Sequence, residues 1–329
     1  MTIAEIIKEL ERWAPPALQE DYDNSGLIAG DKNKTVKGVL VSLDCTEEVV
    51  DEAIKNGCEM IISHHPIVFS GLKRFTGENY IQRTLVKAIK NDVALYAIHT
   101  NLDHISTGVN KIICDKIGLS DTRILQPKKN SLLKLAVFVP REHAEKVRAA
   151  MFAAGAGNIG NYSECSFNTT GEGTFKGSDA TNPFVGEKNQ QHKEVETRVE
   201  VILPIYAKSE VVNAMIKAHP YEEVAYDLYS IENTWPTVGS GMVGQLAENE
   251  DEMKFLTRIK KVFVASIIRH TALLGKPVKT VAVCGGSGRF LLNAAIGAGA
   301  DVFITADFKY HDFFDAEAKT VVADIGHFE

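Results

Sequence analysis

The strongest constraint on the fold is a strand–helix–strand pattern that occurs near both ends of the chain. A shift of 242 residues lays 36–65 over 278–307 without a gap, and eight of the thirty aligned positions are identical. Strand, helix and strand in succession predict parallel strands joined by right-handed crossovers. We therefore predict an α/β fold in which two duplicated halves form one sheet-centred core. The residues of the first copy that recur are Val36, Lys37, Val39, Val41, Ala53, Ile54, Gly57 and Ile62.

Each half continues with a second helix and a third strand. The third strands are predicted at 93–99 and 320–324, where short apolar runs follow amphipathic helices. A shift of 226 residues places Ala97 over Ala323. The predicted duplication therefore extends over three strands in each half.

The stretch between the two halves has a different pattern. Strand, helix, two strands, helix and strand follow one another over 128–236. This order predicts an inserted ferredoxin-like α+β module. The predicted domains are thus 1–127 for the first half of the core, 128–236 for the insert and 237–329 for the second half.

Three further segments have simple local interpretations. The polar stretch at 20–31 predicts a loop, and 233–241 predicts a linker back to the core. Apolar residues at helical spacing predict one helix over 251–275.

Composition argues against two classes of partner. The formal net charge of −7 and the absence of a basic stripe argue against nucleic acid. No apolar stretch has the length that spans a bilayer, and the amphipathic N-terminus differs from a signal peptide. The five cysteines are scattered without a C-x-x-C pair, which predicts reduced thiols in a cytoplasmic protein.

Polar residues that follow the predicted strands form the candidate site. His64 and His65 end the second strand in ISHHP, Asp103 follows the third in HTNLDH, and His327 follows the third strand of the second half. Because the carboxyl ends of parallel strands meet at one edge of a sheet, we expect these side chains to lie close together. Imidazole and carboxylate groups together are ligands of zinc, iron, manganese or nickel.

The adjacent histidines favour two metal ions rather than one. Neighbouring side chains on an extended backbone point in opposite directions, and Pro66 biases His65 towards that geometry. A carboxylate such as Asp103 could bridge the ions or complete the ligand set. Two ions roughly 3.5–4 Å apart would activate water and stabilise charge in a hydrolytic transition state.

Other residues near the strand ends have less specific roles. His99, His104 and His311 are candidates for proton transfer or for structural roles behind the ligands. A histidine at a strand end can also be an ordinary hydrogen-bonded turn residue. The glycine-rich stretch at 284–290 could cradle an anion, but it lacks the lysine of a phosphate-binding loop, and a tight turn is the simpler interpretation.

These motifs make the chain resemble a known family, the Nif-three-like dinuclear-metal-centre proteins labelled GTP cyclohydrolase 1 type 2 homologs. The stretch HPYEEVAYD resembles the long members of that family, whose insert is a PII/CutA-like module. The motifs that carry the resemblance are DYDNSGL at 21–27, ISHHP at 62–66, HTNLDH at 99–104, HPYEEVAYD at 219–227, TADFKYHD at 305–312 and DIGHFE at 324–329.

The resemblance implies two divalent metal ions per subunit, of zinc, iron, manganese or nickel. By position, the implied ligands are His64, His65, Asp103 and His327. The family pattern adds a glutamate four residues after His327, two positions beyond Glu329, and Glu329 itself faces Asp103 under the 226-residue shift. The resemblance also implies a hexameric ring of identical subunits, with the metal sites facing an internal cavity.

Two functions follow as expectations. The first is a metal-dependent hydrolase of a small phosphorylated or purine-like substrate, although no nucleotide-reading motif specifies GTP. The alternative is a non-catalytic metal store, metal chaperone or regulatory scaffold, with a ligand or partner site in the insert around 219–223. The substrate and the metal stay open at this point.

Overall fold

A computed structural model describes residues 1–328, which fold as two compact units. One unit combines Met1–Pro127 with the chain from Thr237 onward, and the other is Lys128–Pro236. The first unit is therefore built from two segments that are far apart in sequence. That each unit acts as an independent domain stays a prediction.

The elements alternate between helix and strand along most of the chain. The first segment contains α1 (Ile3–Trp13), β1 (Gly26–Ala29), β2 (Val39–Ser42), α2 (Glu47–Lys55), β3 (Met60–Ser63), α3 (Tyr80–Lys90), β4 (Ala94–Ala97), α4 (Thr100–Asp103), α5 (Val109–Ile117) and β5 (Leu119–Lys128). The middle segment contains β6 (Leu132–Pro140), α6 (Ala144–Ala153), β7 (Phe167–Lys176), β8 (Gln191–Pro204), α7 (Lys208–Ala218) and β9 (Tyr226–Ser230). The last segment contains β10 (Trp235–Glu250), α8 (Glu252–Val262), β11 (Arg269–His270), β12 (Val278–Ser287), α9 (Leu292–Gly297), β13 (Val302–Ala306) and β14 (Val321–Asp324).

Helix starts follow the capping residues in the sequence. The Thr2 hydroxyl accepts a hydrogen bond from the Glu5 N–H, and the Glu5 carboxylate accepts one from the Thr2 N–H, so α1 begins with a capping box. Thr46 caps α2 and Asp251 caps α8 through side-chain oxygens.

The two halves of the first unit each contribute a set of parallel strands. The strand order is β1-β4-β3-β2 in one sheet and β11-β14-β13-β12-β10-β5 in the other. The predicted α/β fold is confirmed, and each duplicated half contributes its parallel strands to a sheet of its own.

Strand register confirms the duplication. Val39 pairs with Met60 between parallel β2 and β3. The residues that lie 242 positions later, Val281 and Val302, form the same pair between β12 and β13. The two halves therefore share pairing as well as element order.

The third strands correct the predicted alignment by one residue. Ser63 pairs with Ala97 in one half, and the equivalent Thr305 pairs with Asp324 in the other. Ala97 thus corresponds to Asp324, which is a shift of 227 rather than 226. Glu329, which is predicted as the counterpart of Asp103, lies outside the described residues.

Three local predictions are wrong because strand pairing overrides the local pattern. The loop predicted at 20–31 contains β1, which pairs with β4. The linker predicted at 233–241 forms the start of β10. The helix predicted over 251–275 ends at Val262, Val264 takes a left-handed backbone with φ of +54°, and the chain continues into β11.

The six-stranded sheet is covered on both faces. Val302 and Ile304 pack on one face with α8, and Phe303 packs on the other with α9. Strands buried on both faces have nearly continuous apolar sequences, as β13 does. Burial of a phenylalanine such as Phe303 contributes roughly 2–3 kcal/mol.

The second unit has the predicted ferredoxin-like order. Its strands form an antiparallel sheet in the order β7-β8-β6-β9, and α6 and α7 pack against its Leu135, Val201 and Leu203. The PII/CutA-like character of this unit stays a prediction. Among residues 1–328, no helix combines the length and apolarity needed to cross a membrane.

Candidate metal centre

Histidine rings converge at the carboxyl ends of β3, β4 and β14. The ring centroids of His64 and His65 lie 5.0 Å apart, and both lie within 5.4 Å of the ring of His99. The ring of His327 lies 5.2 Å from that of His65. The ligand atoms of the first three histidines lie within 4.8 Å of one another, so this cluster could hold a metal ion.

Carboxylates fix two of these rings through their Nδ1 atoms. His65 Nδ1 donates to Asp44 at 2.8 Å, and His327 Nδ1 donates to Asp307 at 2.6 Å. Because an ionised carboxylate only accepts hydrogen bonds, the proton of each neutral imidazole resides on Nδ1. Each Nε2 atom then presents a lone pair.

The two free ring nitrogens face each other. The Nε2 atoms of His65 and His327 are 3.3 Å apart. Two nitrogens bound at roughly 2.0–2.1 Å to one tetrahedral zinc ion lie at about this separation. Facing lone pairs repel each other, and a cation between them converts this repulsion into attraction, so the donor set fits a divalent metal ion.

The other two rings are oriented in the same manner. His64 Nδ1 donates to the Ile98 carbonyl at 2.9 Å, and His99 Nδ1 donates to Asp23 at 2.7 Å. Burial opposes ionisation of Asp23, but hydrogen bonds from His99 and Thr100 hold the pKa of this carboxyl well below its usual range. Metal-binding histidines typically donate their second nitrogen to such acceptors.

One carboxylate, that of Asp103, also lies beside the histidine cluster. Asp103 Oδ1 lies 3.8 Å from His64 Nε2. Burial raises the pKa of Asp103 to about 7. Burial, together with the neighbouring imidazoles of His99 and His65, lowers the pKa of His64 to about 4. The Asp103 side chain is 22% exposed, and a bound cation would favour its ionised form.

Two residues with left-handed backbones, Asp307 and Gly286, lie next to His327 in the second half of the core. Asp307 has a left-handed backbone with φ of +60°, a conformation that costs an aspartate of order 1 kcal/mol or more. Gly286 has φ of +68°, and a β-carbon there would lie 3.3 Å from the His327 ring. A side chain at residue 286 would therefore require the His327 ring to move by a few tenths of an ångström.

The glycine-rich turn at 284–290 uses its amides within the protein. The Gly285 N–H donates to Asn110 Oδ1, and the Gly288 N–H donates to Thr305 Oγ1, each at 2.9 Å. These bonds favour the tight-turn interpretation over an anion cradle.

A cavity of about 1130 Å³ lies over the histidine cluster. The four residues predicted as metal ligands, His64, His65, Asp103 and His327, all line it. Its volume accommodates a small-molecule ligand. Exposed aromatic side chains also line the cavity, namely Tyr22, Phe69, Tyr80, Phe290 and Phe328.

The remaining histidine candidates occupy different surroundings. His104 lines the cavity and is buried, with Nδ1 donating to the Leu18 carbonyl at 2.7 Å and Nε2 lying 3.1 Å from Glu20. His311 is exposed in the 3-10 helix Tyr310–Ala316 and contacts the ring of Tyr310. The structure thus brings His99 and His104 to the site, whereas His311 lies away from the residues that line the cavity.

Sequence reasoning missed two of the carboxylates that orient the rings. Asp44 has no predicted role, and Asp23 falls within the stretch at 20–31 that is predicted as a loop. A signal existed for Asp44, because it lies two residues beyond the end of β2, at the same sheet edge as His65. No comparable signal marked Asp23, since β1 itself was not predicted.

Comparison with known proteins gives one family over the whole chain. Residues 1–329 match the family described as Duf34/NIF3 (NGG1p interacting factor 3). A protein named GTP cyclohydrolase 1 type 2 homolog from Halalkalibacterium halodurans is 43% identical over 324 residues, covering 98% of this chain and 87% of the relative. A protein of the same name from Bacillus subtilis is 41% identical over 326 residues, with the same coverage of 98% and 87%.

Solved structures show the same similarity. A Bacillus cereus protein described as related to NIF3 superposes with a TM-score of 0.85 at 41% identity, covering 99% of this chain and 88% of that one. A Staphylococcus aureus protein superposes with a TM-score of 0.78 at 30% identity, covering 99% of this chain and 87% of that one.

Proposed function

The chain belongs to the Duf34/NIF3 family, and on that premise we propose that it binds two divalent metal ions and hydrolyses a small phosphorylated or purine-like substrate. The proposed ligands are His64, His65, Asp103 and His327. The observation that carries the proposal is the pair of facing Nε2 atoms, 3.3 Å apart, on rings whose Nδ1 atoms are held by carboxylates.

The geometry supports two ion positions. His64 Nε2 and Asp103 Oδ1 are 3.8 Å apart and form one donor pair. His65 and His327 form the other through their Nε2 atoms. Because His64 and His65 belong to different pairs, the adjacent histidines can serve two ions, as the divergence of neighbouring side chains favours.

The surrounding residues suit hydrolysis. Bound divalent ions would activate water and stabilise negative charge in the transition state. His99 is held by Asp23 through Nδ1, so its Nε2 atom can accept or return a proton at the cluster. The aromatic residues of the cavity, including Phe69 with its ring 5.8 Å from that of His99, offer flat surfaces to a planar substrate. The name of the relatives, GTP cyclohydrolase 1 type 2 homolog, agrees with a purine-like substrate.

The first test is metal content. Elemental mass spectrometry on the purified protein should give two ions per chain, and His64→Ala and Asp103→Ala should each lower that number. His143→Ala is the matched control, because His143 lies in the second unit and contacts the ring of Phe184. Loss of metal from the control to the same extent, or absence of bound metal from the wild type after loading, would remove the basis of the proposal.

The second test is turnover. Protein loaded with zinc, manganese or iron is incubated with GTP and with a panel of phosphoesters, and products are separated by chromatography. Hydrolysis that disappears in Asp103→Ala supports the enzyme. Reversible metal binding without turnover under all three loadings would exclude the hydrolase and leave a metal store, metal chaperone or regulatory scaffold.

We further propose that the chain forms a homohexameric ring in the cytoplasm. The ring is what the resemblance of the sequence motifs implies, and light scattering should give six times the chain mass of 36.1 kDa. The free cysteines suit a reducing compartment. A monomer mass at micromolar concentration would contradict the ring.

A further inference from the structure

One buried carboxylate holds the two loops that carry His327 and Asp307. Asp324 ends β14 and is only 4% exposed. Its Oδ1 atom accepts from the Gly326 N–H at 3.1 Å, and its Oδ2 atom accepts from the Phe308 N–H at 2.9 Å. Gly326 precedes His327 and Phe308 follows Asp307, so the same side chain fixes the backbone next to both partners.

An arginine reinforces this arrangement. Arg269 on β11 lies directly opposite Asp324 in the strand register, and its guanidinium group forms an ion pair with the carboxylate. The same Nη2 atom also donates to the Phe308 carbonyl at 3.0 Å. Both backbone polar groups of Phe308 are therefore bound, which holds the preceding residue, Asp307, in its left-handed conformation.

The proposed ligands His64 and His65, in the first half of the core, are held by strand pairing and not by a buried carboxylate. The N–H groups of His64 and His65 donate to the carbonyls of Ser42 and Leu43 at 3.1 and 2.9 Å, which extends the pairing of β2 and β3. His327 lies beyond the end of β14, and its side chain is 42% exposed. Its position depends on Asp307 and on the loop at 325–327, and Asp324 holds both.

We propose that Asp324, supported by Arg269, is a positioning residue for the metal site. It sets the affinity for the ion bound by His65 and His327 without controlling the ion bound by His64 and Asp103. This inference rests on the proposed two-metal site. Removing residues that orient metal ligands typically weakens metal affinity by about 10–100-fold, and we expect a loss of that size at one ion only.

The test is a titration of metal-free protein with Zn²⁺ and with Co²⁺ that resolves the two affinities. In Asp324→Asn, one ion should bind about 10–100-fold more weakly, and the other should keep its affinity within about threefold. The weakened ion should be the one lost in His327→Ala, and the retained ion the one lost in Asp103→Ala. Arg269→Met, which leaves the carboxylate in place, should weaken the same ion by a smaller factor.

The matched control is Glu250→Gln. Glu250 pairs with Arg258 at 2.8 Å in the same unit, so its substitution removes a comparable arginine–carboxylate pair without touching the ligand loops. Both metal affinities should be unchanged in this variant.

The remaining results distinguish failure of this inference from failure of the proposed function. Two unchanged affinities in Asp324→Asn, or equal losses at both ions, would overturn the inference while the metal site stands. A wild type that binds no metal would instead overturn the proposed function. If Asp324→Asn does not fold, Arg269→Met decides the question, because an unchanged affinity in that folded variant would contradict the role of the pair.

Discussion

A neutral histidine offers a metal only the nitrogen that carries no proton, and in this chain nearby acceptors determine which nitrogen that is. Asp44 and Asp307 hold the Nδ1 protons of His65 and His327, and the Ile98 carbonyl does the same for His64. The Nε2 atoms are thereby left free to bind. Metal affinity should therefore respond to residues that never touch the ion.

Asp44→Asn tests this dependence. The amide can donate as well as accept, so it no longer fixes the His65 proton on Nδ1, and zinc affinity should fall about 10–100-fold. Asp51→Asn is the control, because Asp51 forms an exposed ion pair with Lys87 on the surface of α2 and α3. Competition with a chromophoric chelator measures both affinities, and equal values for the two variants would contradict the role of Asp44.

Gly286→Ala tests the close approach of the turn to His327. The new methyl group would lie 3.3 Å from the ring and would displace it, so zinc should bind roughly tenfold or more weakly. The left-handed backbone also costs an alanine about 1–2 kcal/mol of folding stability.

Gly299→Ala separates these two effects. Gly299 has φ of +71°, but a β-carbon there would have no heavy atom within 4 Å. Urea unfolding should show a similar loss of stability in both variants, whereas only Gly286→Ala should lose zinc affinity. A loss of zinc affinity in Gly299→Ala would show that backbone strain alone explains the effect.

For individual residues, the sequence predicts which side chains lie together at the site but not which hydrogen bonds they form. His64 and His65 could be placed because a strand end is a local feature, followed directly by Pro66. The bond from His99 to Asp23 depends on β1 lying beside β4, and the polar stretch at 20–31 gives no local sign of a strand. Side-chain pairing between distant segments is a property of the tertiary fold.

At the scale of elements, the duplication also preserves a hydrogen-bonding pattern. Glu59 precedes β3, and its carboxylate accepts from the N–H groups of Lys37 and Gly38. Asp301 precedes β13, and its carboxylate accepts from the two N–H groups that lie 242 residues later, both at 2.9 Å. In each half, a carboxylate thus ties the start of one parallel strand to the start of its neighbour.

Asp301→Asn should destabilise the protein in a pH-dependent manner. Burial opposes ionisation of Asp301, but hydrogen bonds from the N–H groups of Thr280 and Lys279 lower its pKa below the usual value. A group with a lowered folded-state pKa adds stability above its unfolded pKa of about 4, and this contribution is lost as the pH falls through the folded-state value.

Urea unfolding measures this effect. The variant should lose about 1–3 kcal/mol at pH 7, and the difference from wild type should shrink as the pH falls below about 4. Glu52→Gln, on the exposed surface of α2, is the control and should have little effect at either pH. A difference that grows on acidification would contradict the assigned sign.

Element order was largely predictable because strand–helix–strand patterns are local. The pairing of β10 was not, since the stretch at 233–241 combines proline and glycines with few apolar residues. Its backbone pairs instead with the distant segment at 104–106, where the Ser106 N–H donates to the Thr237 carbonyl and the Gly239 N–H donates to the His104 carbonyl.

At the scale of the whole molecule, the chain divides its apolar core between two compact units. Leu135 belongs to the core of Lys128–Pro236, and Ile259 belongs to the core of the unit that holds the histidines. Both side chains are fully buried. If the units are independent domains, each should unfold in a transition of its own.

Leu135→Ala and Ile259→Ala test this independence. Each substitution should cost about 2–5 kcal/mol, and differential scanning calorimetry should show a different transition shifted by each. Zinc should raise only the transition that Ile259→Ala lowers, because binding stabilises the unit that holds the ion. One transition that both variants shift equally would show that the chain unfolds as a single cooperative unit.

The separation of the donor residues along the chain has a consequence for biosynthesis. His327 follows Asp103 by about 220 residues, with the whole second unit between them. At about 5–20 residues per second, a ribosome needs roughly 10–45 s to add that stretch. Throughout this interval the nascent polypeptide carries His64 and Asp103, the donors proposed for one ion position, whereas the other position has His65 and lacks His327. Under the proposed two-metal site, the second ion position is therefore completed only after β14 and His327 have been synthesised.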